Sequence, residues 1–172
     1  MIAHLLRKPA HKEPMVLVDH LDITMASGIR GNVRTAPLRQ VLLLEENTLN
    51  EFDLQPGDLR ENIIIDGFEL YNLPSGSVIK IGNVLVQLTF LCEPCNRIAD
   101  KVNLKDIRDK RGILGKFLND GTIHSNDTIS LTGQRMEFIP FEPVERIRWY
   151  MNKIDAPIMA SELLWQTGLA SS

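Results

Sequence analysis

Glu93-Pro94-Cys95-Asn96-Arg97 places a thiol directly behind a rigid proline, with an arginine two positions on, just past the apolar run Val84–Phe90. A cysteine beyond a strand end, among polar residues, stays accessible. A nearby guanidinium favours its thiolate, the form that acts as nucleophile and metal ligand. Cys92 follows Thr89-Phe90-Leu91 and reads instead as a small buried hydrophobe. The pair has C-x-x-C spacing, but a zinc site needs four nitrogen or sulfur ligands and no second pair or H-x₃-H accompanies it, so no zinc is expected. A thioredoxin-like dithiol would begin a helix in a βαβ frame, whereas Pro94 and β-type surroundings occupy this one. On these residues alone, an inert turn cysteine stands beside the working thiol as a reading of Cys95.

Arg60-Glu61-Asn62 lies between the turn Pro56-Gly57 and the run Ile63-Ile64-Ile65. Charges entering so apolar a strand must be paired or face a cleft, because burying either alone is expensive. They would form a pair closing one end of the fold, or Glu61 and Asn62 would orient Arg60 toward a bound phosphate, which its planar fork grips with two hydrogen bonds. Arg39, before the strand Gln40–Leu44, and Arg111, before Gly112, also sit next to strand or turn ends. Each alone reads as a solvated charge; converging, they would make an oxyanion pocket. His4, His11, His20 and His124 show no spacing that joins them into a site, and no dinucleotide, P-loop or nucleophile-elbow motif is present.

The elements that must carry these residues are short. Apolar runs broken by turn residues predict strands at Met15–Leu21, Gln40–Leu44, Asn62–Ile65, Val78–Ile81, Val84–Phe90, Thr128–Leu131 and Arg135–Ile139. Ile81-Gly82-Asn83-Val84 reads as a two-residue hairpin loop. Glu45–Phe52 and Asn103–Lys110 read as short helices, the second capped by Asn103. Many short strands with glycine corners suit a mainly β fold, a small closed β-barrel over residues 1–140, in preference to a doubly wound sheet. From about residue 141 to 172 a two-helix tail is expected: Pro143 suits a first helical position, Val144, Ile147, Met151 and Ile154 recur at helical spacing, and Gly168 stops the second helix. Trp149 and Trp165 would fasten this tail to the barrel or to a neighbouring subunit of a homo-oligomer.

Composition sets outer bounds. At 172 residues, 44% apolar and 24% charged, the chain is of ordinary globular make-up. A net charge of -3 argues against broad nucleic-acid or anionic-membrane binding while leaving room for a local basic pocket. Two cysteines are too few for a disulfide framework, the first residues lack the apolar core of a signal peptide, and no run is long enough to span a bilayer. The expected setting is cytoplasmic.

Taken together these residues resemble the MOSC domain, named for the C-terminal part of molybdenum cofactor sulfurase. The matching residues are Gly28-Ile29-Arg30-Gly31, Arg39-Gln40-Val41, Pro56-Gly57 with Arg60-Glu61-Asn62, and Gly67 with Leu73-Pro74-Ser75-Gly76. They continue through Glu93-Pro94-Cys95, Arg111-Gly112, Gly121 and Asp127, so the resemblance spans roughly residues 12 to 132. It implies a β-barrel that handles the molybdenum cofactor (molybdopterin). Cys95 would carry sulfur as a persulfide or contact molybdenum, and Arg60, Glu61, Asn62, Arg39 and Arg111 would hold the cofactor. Some relatives reduce N-hydroxylated compounds at a bound molybdenum centre, which requires an electron-transfer partner; sulfur delivery implies a cofactor-biosynthesis partner instead. A non-catalytic carrier of the cofactor or another anion is the alternative, and an interaction domain with a vestigial cleft is a third. One departure stands out: many members have Gly-Asp, often with a histidine shortly after, where this chain has Gly31-Asn32-Val33-Arg34. A stand-alone member is expected, since the chain has no room for a sulfurase domain that binds pyridoxal phosphate.

Overall fold

The computed structural model describes residues 1–169. The fold is mainly β. Eleven strands run in chain order: β1 (Ile2–Arg7), β2 (Val16–Val18), β3 (His20–Thr24), β4 (Gly28–Ile29), β5 (Val41–Glu45), β6 (Ile63–Ile65), β7 (Ser77–Ile81), β8 (Val84–Leu91), β9 (Ile113–Phe117), β10 (Gly121–His124) and β11 (Ile129–Arg135). Three helices join them: α1 (Glu46–Phe52), α2 (Pro143–Met151) and α3 (Ala160–Gln166). Among the described residues no helix is long and apolar enough to cross a membrane.

The closed barrel expected from the strand pattern does not form. Eight strands make one curled half-barrel sheet in the order β11-β7-β8-β9-β5-β6-β1-β2, whose outer strands do not pair with each other. A separate three-stranded sheet, β10-β3-β4, completes the enclosure. Only β5 and β6 pair in parallel; all other neighbours are antiparallel. Short strands and glycine corners are common to closed and open β folds, so the pattern could not separate the two.

The largest core fills the space between the sheets. Leu21, Ile23, Ile29 and Ile123 of the small sheet meet Val41, Leu43, Ile63, Ile65, Val86 and Leu88 of the large one. The alternate side chains of the same strands face outward and are buried as well. Leu6, Leu44 and Ile64 pack under α1 and the loop carrying Ile98 and Ile107. Leu42, Phe90, Cys92 and Leu114 form a third cluster with Phe141 and Trp149 of the tail. Burial on both faces explains the unbroken Ile63-Ile64-Ile65 run, since neither face needs a polar alternate.

Several local expectations need correction. Met15–Leu21 is two strands, β2 and the start of β3, broken at Asp19. Asn103–Lys110 is a run of turns with no helix; the Asn103 side chain accepts a hydrogen bond from the Lys105 N–H at 2.9 Å, the local bond that competes with helix. Residues 136–139 are not a strand: the Met136 N–H reaches the Gly76 carbonyl and the Ile139 N–H reaches Ser75 Oγ, so only isolated bonds tie this segment to its neighbour. The Ile81–Val84 hairpin forms in the expected register.

Candidate functional site

A cleft of about 660 Å³ lies on the outer face of the large sheet. Its floor includes Leu42 and Leu114, which oppose each other across β5 and β9 on the side turned away from the main core. The site is therefore spread across strands and does not sit in a barrel mouth. Cys95, Arg60, Asn62, Arg39 and Arg111, separated by up to 72 positions in the sequence, all line it.

Cys95 is placed by its neighbours. The backbone N–H of Cys92 pairs with the Gly112 carbonyl at 2.9 Å, extending the β8–β9 ladder past the end of β8. Gly112 has φ +104, and a Cβ there would stand 2.5 Å from the Leu43 carbonyl oxygen, so only glycine lets the chain pass so close. After Pro94, Cys95 is extended and leads into a single 3₁₀ turn, Asn96–Ile98, pinned by the fully buried Ile98. Cys95 is left half-buried on the cleft wall, whereas Cys92 is buried and desolvation pushes its thiol above the ordinary value.

Arg60 has a left-handed backbone at φ +65, one of two non-glycine residues so placed among those described. Such conformations persist where the surroundings enforce them. Here the turn from Gly57 does so, with the Arg60 N–H bonded to the Gly57 carbonyl at 3.0 Å. The guanidinium reaches into the cleft, where Nη2 donates to the Glu13 carbonyl at 3.0 Å and Nε is buried with no partner. Glu61 does not line the cleft. It is wholly buried beneath the turn, accepting a hydrogen bond from the Gly57 N–H, and desolvation pushes its carboxyl up to about 7 against the pull of that bond. Asn62 lines the cleft, but its amide is used by the backbone: Nδ2 donates to the Leu6 carbonyl at 3.2 Å and Oδ1 accepts from the Leu42 N–H at 3.1 Å.

The cleft is strongly electropositive. Lys8, Arg34, Arg39, Arg60, Arg97 and Arg111 line it against a single acidic residue, Glu93. That carboxylate is already shared, with Arg39 Nη1 on one oxygen and Arg146 Nη2 on the other, each at 3.1 Å. Arg111 Nη1 donates to the Glu93 carbonyl, and Arg111 Nε is buried without a partner. Among the described residues Lys8, Arg60, Arg97 and Arg111 form no ion pair. Their mutual repulsion is visible in their acidities. Burial lowers Lys8 most, and the charges of Arg60, Arg97 and Arg111 lower it further, to about 8, while Cys95 pulls the other way. Arg60 is likewise lowered, by burial first and then by Arg97 and Arg111.

Lys8 and Arg146 escaped the sequence reading. Lys8 follows β1, and the Asn32 side chain and the Val33 backbone fix its main chain: Asn32 Oδ1 accepts from the Lys8 N–H at 2.7 Å, and the Val33 N–H donates to the Lys8 carbonyl at 2.9 Å. Asn32 therefore fills the acceptor role that an aspartate would fill, without bringing its charge. Arg146 is fully buried in α2, its guanidinium carbon 3.6 Å from the Phe90 ring centroid, in a helix whose apolar Val144 and Met151 are exposed. No cluster of three or more His, Cys, Asp or Glu side chains capable of holding a metal occurs among the described residues.

Comparison with known proteins places the fold. No curated protein matches the chain. Among solved structures it is similar to the YuaD protein of Bacillus subtilis, with a TM-score of 0.64 and 18% identity over 75% of this chain and 94% of that one. It is also similar to YiiM from Geobacillus stearothermophilus, with a TM-score of 0.62 and 16% identity over 99% of each chain. YiiM from Escherichia coli gives a TM-score of 0.60 and 16% identity over 96% of this chain and 90% of that one. At these identities the likeness speaks to the fold. The model of the MOSC domain matches residues 32–130, the stretch that contains Arg39, Arg60, Cys95 and Arg111. With more than half of its length inside that match, the chain belongs to the MOSC domain family.

Proposed function

We propose that the cleft binds the molybdenum cofactor through its phosphate, and that the Cys95 thiolate carries sulfur to it or contacts its metal. The observation that carries this reading is the thiol sharing one cleft with four cations that no carboxylate among the described residues pairs. The donor set fits a phosphate: the unpartnered Nε atoms of Arg60 and Arg111 are buried groups that an oxyanion would satisfy. When bound, the cofactor supplies a metal that accepts soft sulfur ligands.

The chain's own residues do the rest. Arg60, Arg97, Arg111 and Lys8 hold the anion beside the Cys95 thiol. In a sulfur-carrying cycle that thiolate attacks the outer sulfur of a donor persulfide. The donor S–S bond breaks, its electron pair leaves on the donor thiolate, and a new S–S bond forms at Cys95. An acceptor that supplies an electron pair, such as a thiolate, then takes the outer sulfur: its pair forms the new bond, the S–S bond at Cys95 breaks, and the pair of that bond stays on Cys95 as thiolate.

The test is metal and pterin analysis of the protein purified from a host that makes the cofactor. Stoichiometric pterin in the wild type and its loss in Arg60→Ala are expected; a protein free of pterin and unable to take it up would sink the reading. Cys95→Ser separates catalysis from carriage. Retained cofactor with lost sulfur transfer marks an enzyme, and unchanged behaviour in both assays marks a carrier.

A further inference from the structure

The cleft has a second end, built by the tail, beyond the residues 32–130 that the family model matches. α3 terminates in a two-bond left-handed turn: the Gly168 N–H bonds the Trp165 carbonyl at 3.1 Å and the Leu169 N–H bonds the Leu164 carbonyl at 2.8 Å, with Gly168 at φ +70. The turn delivers the Gly168 carbonyl to Arg39, whose Nη1 donates to it at 3.0 Å. The fit is close, since a Cβ on Gly168 would stand 3.1 Å from Arg39 Cδ and 3.2 Å from Phe90 Cζ. Within the same helix Trp165 lies under Arg34, ring centroid to guanidinium 5.2 Å. Gly168 and Leu169 thus form part of the cleft wall.

Among the described residues the charges at this end do not balance. Glu93 answers Arg39 and Arg146 with one carboxylate, leaving a surplus positive charge, and the other partners of Arg39 are uncharged: the Gly168 carbonyl on Nη1 and the Cys92 sulfur, 3.6 Å from Nη2. The Gly168 carbonyl offers Arg39 only a dipole, whereas an oxyanion adds a full opposite charge at the same distance, so an oxyanion would outcompete Gly168 for Arg39.

We propose that Arg39 is a second anion subsite of the cleft, masked by the C-terminal turn of α3. The ligands that use it carry two acidic groups, one held by the Arg60 cluster and one that displaces the Gly168 carbonyl. The proposal rests on the anion-binding reading given above. Tail docking and occupation of this subsite exclude each other, so the coupling is reciprocal: loosening the tail tightens the ligand, and the ligand loosens the tail.

Inorganic pyrophosphate and orthophosphate, titrated calorimetrically into the intact protein, provide the test. Trp165→Ala should tighten pyrophosphate by about fivefold or more, in the range of ordinary coupling between sites, and leave orthophosphate unchanged. Adding Arg39→Ala should abolish that gain. In the wild type, pyrophosphate should speed tryptic cleavage after Lys153, in the segment between α2 and α3, a readout that needs no variant. Unchanged or weaker pyrophosphate binding in Trp165→Ala, a gain that survives Arg39→Ala, or protection of Lys153 by pyrophosphate would overturn the proposal. If Arg60→Ala leaves both anions' affinities intact, the phosphate reading of the Arg60 cluster fails, while the Trp165 and Arg39 comparison still judges this subsite by itself.

Discussion

Arg60 is, after burial itself, the foremost reason that Lys8 gives up its proton near pH 8. The two residues flank the same end of the antiparallel β1–β6 pair, Lys8 just after β1 and Arg60 just before β6, and meet in one cleft. An anion bound between them would restore the proton. Binding is then independent of pH where Lys8 is charged in both states and must take up a proton above about 8, where affinity falls. Sulfate, which keeps its charge throughout this range, should lose affinity by up to about tenfold per pH unit above that point. In Lys8→Met the dependence should vanish, and in Asn32→Asp, which adds a negative charge beside Lys8, its onset should move to higher pH. A flat sulfate profile in the wild type, measured by calorimetry from pH 7 to 10, would remove Lys8 from the anion site.

Arg60→Ala should weaken cofactor or phosphate binding by ~1.5–3 kcal/mol, the range for a charge-assisted hydrogen bond. The left-handed backbone gives a second, separable outcome. Arg60→Gly should lose the same affinity yet be more stable than Arg60→Ala by about 1 kcal/mol, because only glycine adopts φ +65 without strain. Chemical denaturation of the two variants side by side measures the difference.

Cys95 should alkylate with iodoacetamide at neutral pH well before Cys92. The first lines an electropositive cleft, while the second is 3% exposed and burial pushes its thiol up. Mass spectrometry of partially labelled protein decides the order, and faster labelling of Cys92 would move the site.

Glu61 makes a prediction about stability. Its carboxyl ionises near 7 in the folded chain and near 4.5 when unfolded. Between those values the unfolded state binds fewer protons, so this residue lowers stability as pH rises from about 4.5 to 7 and no further above. Glu61→Gln keeps an acceptor for the Gly57 N–H and cannot ionise. It should match the wild type at low pH and exceed it by roughly 3 kcal/mol above pH 7. Urea titrations at pH 4.5 and 8 check both halves of the statement.

The parts of the site that were legible in the sequence were those in which chemistry and local pattern coincide. The thiol past β8 and the polar triplet before β6 announce themselves because polar groups adjoin apolar strands, and the structure brings Cys95, Arg60 and Asn62 to one cleft while burying Glu61. What stayed hidden lacked such contrast. β1 buries Ile2, Leu5 and Leu6 with a register shift between Ile2 and His4, so its alternation is broken and Lys8 gives no sign of ending a strand. β9 is buried nearly throughout and its Gly115-Lys116 interrupts the apolar run, hiding the strand that opposes β5. The spacing of Val144, Ile147 and Met151 rightly predicted a helix but not its packing side, since the buried group is a guanidinium that only Glu93 and Phe90 make tolerable. A pairwise charge relation across 53 positions has no local signature.

Arg146 also imposes an order on how the molecule is completed. Its seat consists of Phe90, Glu93 and Phe141, all of which leave the ribosome before it does. Until residue 146 is made, Glu93 answers Arg39 alone and the ring of Phe90 lacks its nearer guanidinium, so a nascent chain carries a cleft of different charge from the finished one. Burial of that one guanidinium makes the charge of the cleft a property that is completed only when synthesis has passed the two sheets and entered the tail.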